Sequence, residues 1–155
     1  MPLSLPRPAC LAAPLRLLPA PVLNAMAACL ATQVLRQALA DGDLEELEGK
    51  VVAVSLRRPT LTLRVTVRGH AVRPAGAGPA VVTIGAEMED LLLVAAQLSD
   101  PDTLFFRRRL QLSGDTALGL TVKNALDSAS FESLPPGSVP LLRQLAEQVP
   151  PTPDR

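Results

Sequence analysis

Residues 61–68, LTLRVTVR, form the most regular pattern in the chain and decide its fold class. Apolar and polar side chains alternate, and a period of two is typical of a β-strand that is buried on one side only. One face of this predicted strand carries Leu61, Leu63, Val65 and Val67. The other face is expected to meet solvent and carries Thr62, Arg64, Thr66 and Arg68.

The flanking segments predict further strands and helices. Strands are predicted at 51–56, 71–73, 80–84 and 108–113, and helices at 22–40, 87–98, 116–129 and 139–149. Short turns are predicted at 41–48, held by Leu44 and Leu47, and at 100–106. Asp115 suits the N-cap of the helix that follows it. This order predicts an α+β fold, with a mainly antiparallel sheet and helices covering one face.

Composition excludes several functional classes. The chain has 155 residues, of which 48 % are hydrophobic, enough for the core of one domain. Its 15 basic and 15 acidic side chains cancel, whereas a general nucleic-acid binder is usually basic. With no Trp or Tyr, base-stacking and sugar sites are not expected. One histidine, His70 at a predicted turn, and two cysteines leave no multi-His zinc site and little for acid–base catalysis. We therefore expect no catalytic residue, metal or cofactor.

The N-terminal region leaves two interpretations open. Residues 1–21 hold six prolines and are predicted to form an extended arm, before a single domain at 22–149 and a frayed tail at 150–155. In the helix at 22–40 an apolar face recurs close to a 3.6 period, and this face would be buried if the helix packs on the domain: Val22, Met26, Cys29, Leu30, Val34 and Ala38. Before Asp41 the sequence has Arg7, Arg16 and Arg36 but no acid. The helix either packs on the domain or touches an anionic membrane surface. The apolar run is broken by prolines, so we expect a cytoplasmic protein rather than a secreted or membrane-spanning one.

Arg107, Arg108 and Arg109 form the most unusual charge run. They are interpreted either as a basic strand edge or as a patch that contacts a phosphate, a lipid headgroup or a partner.

The segment Asp100–Asp127, DPDTLFFRRRLQLSGDTALGLTVKNALD, resembles the sterol-carrier-protein type 2 family. In that family a strand ends in a Gly-Asp step, here Gly114-Asp115, and leads into a helix that covers lipid. Within that family, the sequence most resembles a bacterial subgroup of accessory factors for oxygen-independent ubiquinone biosynthesis. The upstream motifs that carry it are Arg36–Leu39, Asp41-Gly42, Leu44-Glu45, Leu47–Gly49, and Asp90–Leu92 with Ala95-Ala96.

The resemblance implies a five-stranded sheet whose helices enclose an apolar cavity, and a role in binding lipid without transforming it. The subgroup implies that the lipid is a hydrophobic ubiquinone precursor. Its implied partners are the iron–sulfur hydroxylation proteins UbiU and UbiV and other enzymes of the pathway. The apolar residues proposed to line the cavity are Leu63, Val65, Val67, Leu91, Leu92, Leu98, Leu110, Leu112, Leu118, Val122 and Leu126, with Phe105 and Phe106 at its mouth. A general phospholipid or fatty-acid carrier, a protein-binding scaffold and an enzyme remain the alternatives.

Overall fold

The computed structural model describes residues 17–57, 60–95 and 98–130, without the side chains of Leu92 and Ala95. Most of the predicted N-terminal arm, the helix predicted at 139–149 and the tail at 150–155 lie outside these residues. The elements are α1 (Ala20–Val34), α2 (Arg36–Asp41), a 3₁₀ turn (Glu45–Leu47), β1 (Val51–Arg57), β2 (Thr60–Arg68), β3 (Ala71–Pro74), β4 (Val82–Ala86), α3 (Met88–Ala95), α4 (Pro101–Phe106), β5 (Gln111–Gly114) and α5 (Thr116–Asp127).

The five strands form one mixed sheet in the order β3-β2-β1-β4-β5. β1 runs parallel to β4, and every other neighbouring pair is antiparallel. The connection from β3 to β4 must cross β2 and β1, and the Arg64 guanidinium fixes it by donating to the Gly78 carbonyl. The predicted α+β fold with a mostly antiparallel sheet is confirmed.

The core lies between the inner face of the sheet and the helices. Val52, Val67 and Ile84 supply the sheet side, and Leu118 and Val122 of α5 pack in the same cluster. The two leucines of the acidic turn, Leu44 and Leu47, are both buried, as predicted for its anchors. Asp115 caps α5, because its side chain accepts a hydrogen bond from the Leu118 backbone N–H at 2.9 Å.

Helix α1 covers the otherwise open edge of the sheet at β3. The Thr32 hydroxyl accepts from the Val72 backbone N–H at 2.9 Å, in the position that a further strand would occupy. Nearby, the Asn24 side-chain oxygen accepts from the Arg64 N–H at 3.0 Å. These contacts satisfy edge groups that would otherwise be free to pair with another chain.

The predicted buried face of the first helix is wrong. Helix α1 ends at Val34 and α2 begins at Arg36, and of the six positions expected inside only Ala38 is fully buried. Met26 is 48 % and Leu30 52 % exposed, while the buried residues of α1 are Leu23 and Ala28. Since α1 has no charged residue, its periodicity does not mark which side meets solvent.

Two boundaries before β5 also differ from the prediction. Residues 101–106 are helical rather than a turn, with Pro101 first in the helix, where a missing N–H is tolerated. The strand predicted from Arg108 begins only at Gln111. The reason is that α4 ends by accepting the N–H groups of Arg109 and Leu110 at its Leu104 carbonyl, 2.9 and 3.1 Å away, so these groups cannot pair in the sheet.

Candidate functional site

An apolar cavity of about 140 Å³ lies between the inner face of the sheet and the helices. The sheet contributes Val52 and Val54 of β1, which point to the same face because they lie two apart, and the consecutive residues 65–67 of β2. Helix α5 closes the cavity from the opposite side. All the surface that faces the cavity is apolar, and its lining residues are Ala31, Leu35, Leu44, Leu47, Val52, Val54, Val65, Thr66, Val67, Val72, Ile84, Val122, Ala125 and Leu126.

The structure brings four of the proposed lining residues to this cavity: Val65, Val67, Val122 and Leu126. Leu110 and Leu118 are instead buried in the core around it, and Leu91 and Leu112 pack partly buried against that core. Leu63 is half-buried on β2, and the side chain of Leu92 lies outside the described residues. Leu98, Phe105 and Phe106 lie at two surface depressions instead.

Sequence reasoning missed the part of the wall that precedes β1. Ala31 and Leu35 come from the junction of α1 and α2, and Leu44 and Leu47 from the acidic turn. The pairing of Leu44 with Leu47 was a usable signal, since two leucines in an acidic turn must be held by an apolar surface. The position of Leu35 could not be found, because it depends on the break between the two helices.

A surface crevice of about 270 Å³ adjoins the cavity. It is lined by Val94, Leu98 and Pro101 among others, and it shares Leu126 with the cavity wall. Leu126 therefore lies between the cavity and the surface crevice.

Lys123 ties two of the helices together beside this crevice. Its ammonium group lies 2.5 Å from an oxygen of Asp102 on α4 and 3.0 Å from one of Asp127 on α5. The hydrogen bond to Asp102, followed by that to Asp127, raises the pKa of Lys123 above its ordinary value. The pair of bonds holds α4 against the C-terminal half of α5.

The arginine run is divided by the turn that ends α4. Arg109 turns inward, and its Nε donates to the buried Asp90 carboxylate at 2.8 Å. Arg108 stays exposed with a φ of 58°, in the left-handed region where helices commonly end. Arg107 is exposed as well. Arg109 is therefore paired within the protein, and Arg107 and Arg108 are the exposed members of the run.

A second depression, of about 630 Å³, lies on the outer face of the sheet. Arg57 and Arg108 stand at it, with Phe106, which is 80 % exposed. Its floor consists of outward-facing residues of β1, β4 and β5: Ser55, Thr83, Gly85, Gln111 and Ser113.

The acidic turn and His70 do not form a metal site. Glu48 accepts the Gly69 backbone N–H, and His70 Nδ1 lies 3.2 Å from the Leu39 carbonyl. Among the residues that the structure describes, no group of three or more His, Cys, Asp or Glu side chains could hold a metal ion. In the same residues, no helix is both long and apolar enough to cross a membrane.

Comparison with known proteins gives consistent relationships. The model of the SCP-2 sterol transfer family matches residues 31–127. The chain is 38 % identical over 142 residues to the ubiquinone biosynthesis accessory factor UbiT of Escherichia coli K12, which covers 92 % of this chain and 82 % of that protein. UbiT of Escherichia coli O157:H7 gives the same values.

Among solved structures, the ubiquinone synthesis protein UbiJ-SCP2 superposes with a TM-score of 0.54 and 23 % identity. The match covers 69 % of this chain and 95 % of that one. At this identity the likeness shows the fold alone. Together with the family match over residues 31–127, the sheet order and the apolar cavity lead to one assignment. The chain belongs to the SCP-2 sterol transfer family.

Proposed function

We propose that this protein is a non-catalytic accessory factor that binds hydrophobic ubiquinone precursors, which are isoprenoid quinone intermediates, for oxygen-independent ubiquinone biosynthesis. The observation that carries this proposal is the apolar cavity, in a chain 38 % identical to Escherichia coli UbiT. None of the described residues that line the cavity is titratable. Such a wall suits holding an apolar chain rather than transforming it.

The size of the cavity sets how a long ligand would enter. A cavity of roughly 150 Å³ holds one benzene molecule, so about 140 Å³ accepts a group of the size of one isoprene unit. A longer tail must continue past Leu126 into the adjoining crevice. Each buried CH₂ contributes about 0.8 kcal/mol, so a few isoprene units supply useful affinity without polar contacts.

The exposed face of α1 supports a place for the protein at the membrane surface. Leu18, Val22, Met26 and Leu30 recur every four residues and all stay exposed. The first 40 residues carry positive charge and no acid, which favours anionic headgroups. We infer that a cytoplasmic protein lays this face on the bilayer to load and unload its lipid.

Its proposed protein partners are UbiU, UbiV and the ring-modifying enzymes of the pathway, to which the bound precursor would be presented. Co-purification of tagged UbiU–UbiV with this protein from one lysate tests that part. Recovery of the complex supports presentation, and its absence in the presence of precursor contradicts it.

Mass spectrometry of organic extracts from protein purified without detergent is the first test. We expect a prenylated phenol or quinone at near-stoichiometric level. The cavity-filling variant A125L places a larger side chain at a buried wall position and should lose most of it. The same substitution at the exposed Ala117 of α5, A117L, should leave the lipid content unchanged.

The other outcomes distinguish the alternatives. Phospholipid or fatty acid alone would favour a general carrier with the same fold. No lipid in any preparation would favour a protein-binding scaffold. Conversion of an added precursor by the pure protein would contradict a non-catalytic role.

Flotation with phosphatidylglycerol vesicles tests the membrane contact. We expect M26Q/L30Q to reduce the bound fraction severalfold, because two apolar side chains no longer enter the interface. Leu120, which is 57 % exposed on α5, supplies the control L120Q, which should float like the wild type. Equal loss in both variants would show that α1 is not the contact.

A further inference from the structure

We propose that the depression on the outer face of the sheet, called here the outer groove, binds the oxyanion head of an amphiphile, a carboxylate or a phosphate. This inference rests on the proposed function, because it takes the ligand to be a lipid or a prenylated precursor. The outer groove is distinct from the cavity, since it lies against β1, β4 and β5 on the opposite side of the sheet.

The charges of the outer groove favour an anion. Arg57 and Arg108 both line it, and neither has a carboxylate partner in the part of the chain that the structure describes. No acidic side chain stands among the described lining residues. Arg109, by contrast, is neutralised by Asp90. Two uncompensated guanidinium groups beside one depression are a strong attraction for a carboxylate or phosphate.

The positions of the two arginines are fixed by the backbone. Arg57 Nη2 donates to the Arg109 carbonyl at 3.0 Å, which ties the end of β1 to the turn after α4 and leaves other guanidinium N–H groups to donate. Arg108 holds its place through the left-handed turn, and its own carbonyl accepts from the Gln111 side chain at 3.3 Å. Arg57 is therefore held at the depression by its side chain, and Arg108 is placed there by its backbone.

The floor of the outer groove offers polar groups to a head, beside the apolar side chains that also line it. Ser55, Thr83 and Ser113 bring hydroxyl groups that can hydrogen-bond to an oxyanion. Gly85 leaves the middle of the floor without a side chain. A Cβ added there would lie 3.8 Å from Gln111 Cβ, an ordinary contact, so packing does not require the glycine. Its absence of a side chain leaves room for a ligand.

The outer groove also reaches the apolar side of the sheet. Leu112 lines it, although Leu112 points to the inner face, while Gln111 and Ser113 point to the outer one. The groove thus passes around β5, which pairs only with β4 in the described sheet. Leu112 is the cross-strand neighbour of Ile84, which lines the cavity. A head group bound in the groove and a tail pointing toward the cavity would be separated only by the side chains of Leu112 and Ile84.

Titrations followed by NMR separate this proposal from the proposed function. Phenyl phosphate and benzoate test the outer groove without a tail, and benzyl alcohol is the uncharged control. We expect the two anions, and not the alcohol, to shift the backbone amides of Gly85, Gln111 and Ser113, and the shifts to weaken with salt. Tighter binding of benzoate would identify an aromatic carboxylate as the head, and tighter binding of phenyl phosphate a phosphate ester. Dodecanol should shift the methyl groups of Val65 and Val122 instead, whether or not the groove binds anions.

Variants that remove the charge of Arg57 or Arg108 test whether these side chains bind the anion. R57Q/R108Q should weaken anion binding about tenfold, the loss of roughly one charge-assisted hydrogen bond. R108Q alone, at an exposed side chain, and G85V, which fills the floor, should each weaken it without lowering the midpoint of unfolding. Arg68 is exposed on the same face at the end of β2, and R68Q should bind as the wild type does. No shift at the three amides, or an equal loss in R68Q, would overturn the outer groove as a headgroup site.

Discussion

Helices α1 and α5 both carry apolar residues at a helical spacing but have opposite relationships to the core. The sequence predicts an apolar face on both, and a buried one on α1 if that helix packs on the domain. On α5 the predicted Leu118 and Val122 are both buried. On α1 the predicted Met26 and Leu30 are about half exposed.

The difference lies in the polar residues rather than the apolar ones. Helix α5 places Lys123 and Asp127 away from its apolar face, so only one orientation leaves these charges outside the core. Helix α1 has no charge and is oriented instead by the hydrogen bonds of Asn24 and Thr32 to the sheet edge. A helical repeat of apolar residues therefore predicts the orientation of a helix only where polar side chains occupy the opposite face.

The largest expected contrast comes from deleting one leucine in each helix. L118A removes a 9 % exposed side chain from the core and should lower the free energy of unfolding by about 2–5 kcal/mol. L30A removes a 52 % exposed side chain and should change it by less than about 0.5 kcal/mol. Urea unfolding measures both. A loss in L30A as large as that in L118A would mean that the exposed face of α1 is covered in the folded protein.

A second prediction concerns the polar attachment of α1. T32V keeps the shape of the side chain but leaves the Val72 N–H at the β3 edge without its acceptor. The free energy of unfolding should fall by about 1–3 kcal/mol. Thr62 is exposed on β2, and T62V is the matched control, expected to be neutral. If T32V is also neutral, α1 is oriented by packing, and the contrast with α5 has another cause.

Local patterns were enough to predict most of the sheet and α5. The alternation at 61–68 predicted β2, and Asp115 predicted the start of α5, because each depends on neighbours a few residues away. How a helix lies on the sheet depends on contacts between distant segments, such as those of Asn24 and Thr32 with the sheet edge. The candidate site divides in the same way: Val65, Val67, Val122 and Leu126 follow from periodicity, while Leu35 and the groove between Arg57 and Arg108 require the assembled fold.

A third prediction tests the unequal starts of the two helices. The Asp115 side chain caps α5, whereas α1 begins after Pro19, which makes no side-chain cap. D115A should therefore cost about 1 kcal/mol of unfolding free energy. D115N retains an oxygen that can accept the Leu118 N–H and should lose much less. Equal losses in the two variants would show that the charge at the helix N-terminus matters more than the hydrogen bond.

The smallest expected effect is a pH dependence that belongs to α5 and has no counterpart on the uncharged α1. Because Asp102 and Asp127 raise the pKa of Lys123 in the folded protein, the folded state holds that proton more tightly than the unfolded chain does. The stabilisation is fully present below the ordinary lysine pKa of about 10.4 and is lost as pH rises through the higher folded value. As pH rises from 9 to 11, about one unit either side of that ordinary value, the urea midpoint of the wild type should thus decrease more than that of K123M.

The composition makes this measurement unusually direct. The chain has no tyrosine, and its only other lysine is Lys50, so few groups titrate in the same range. K50M keeps both bonds of Lys123 and should therefore keep the wild-type pH dependence. If K123M loses stability with pH as steeply as the wild type, the bonds from Lys123 to α4 and α5 do not hold the two helices together in solution. The crevice beside Leu126 would then open without breaking them, and entry of a tail would not depend on this ion pair.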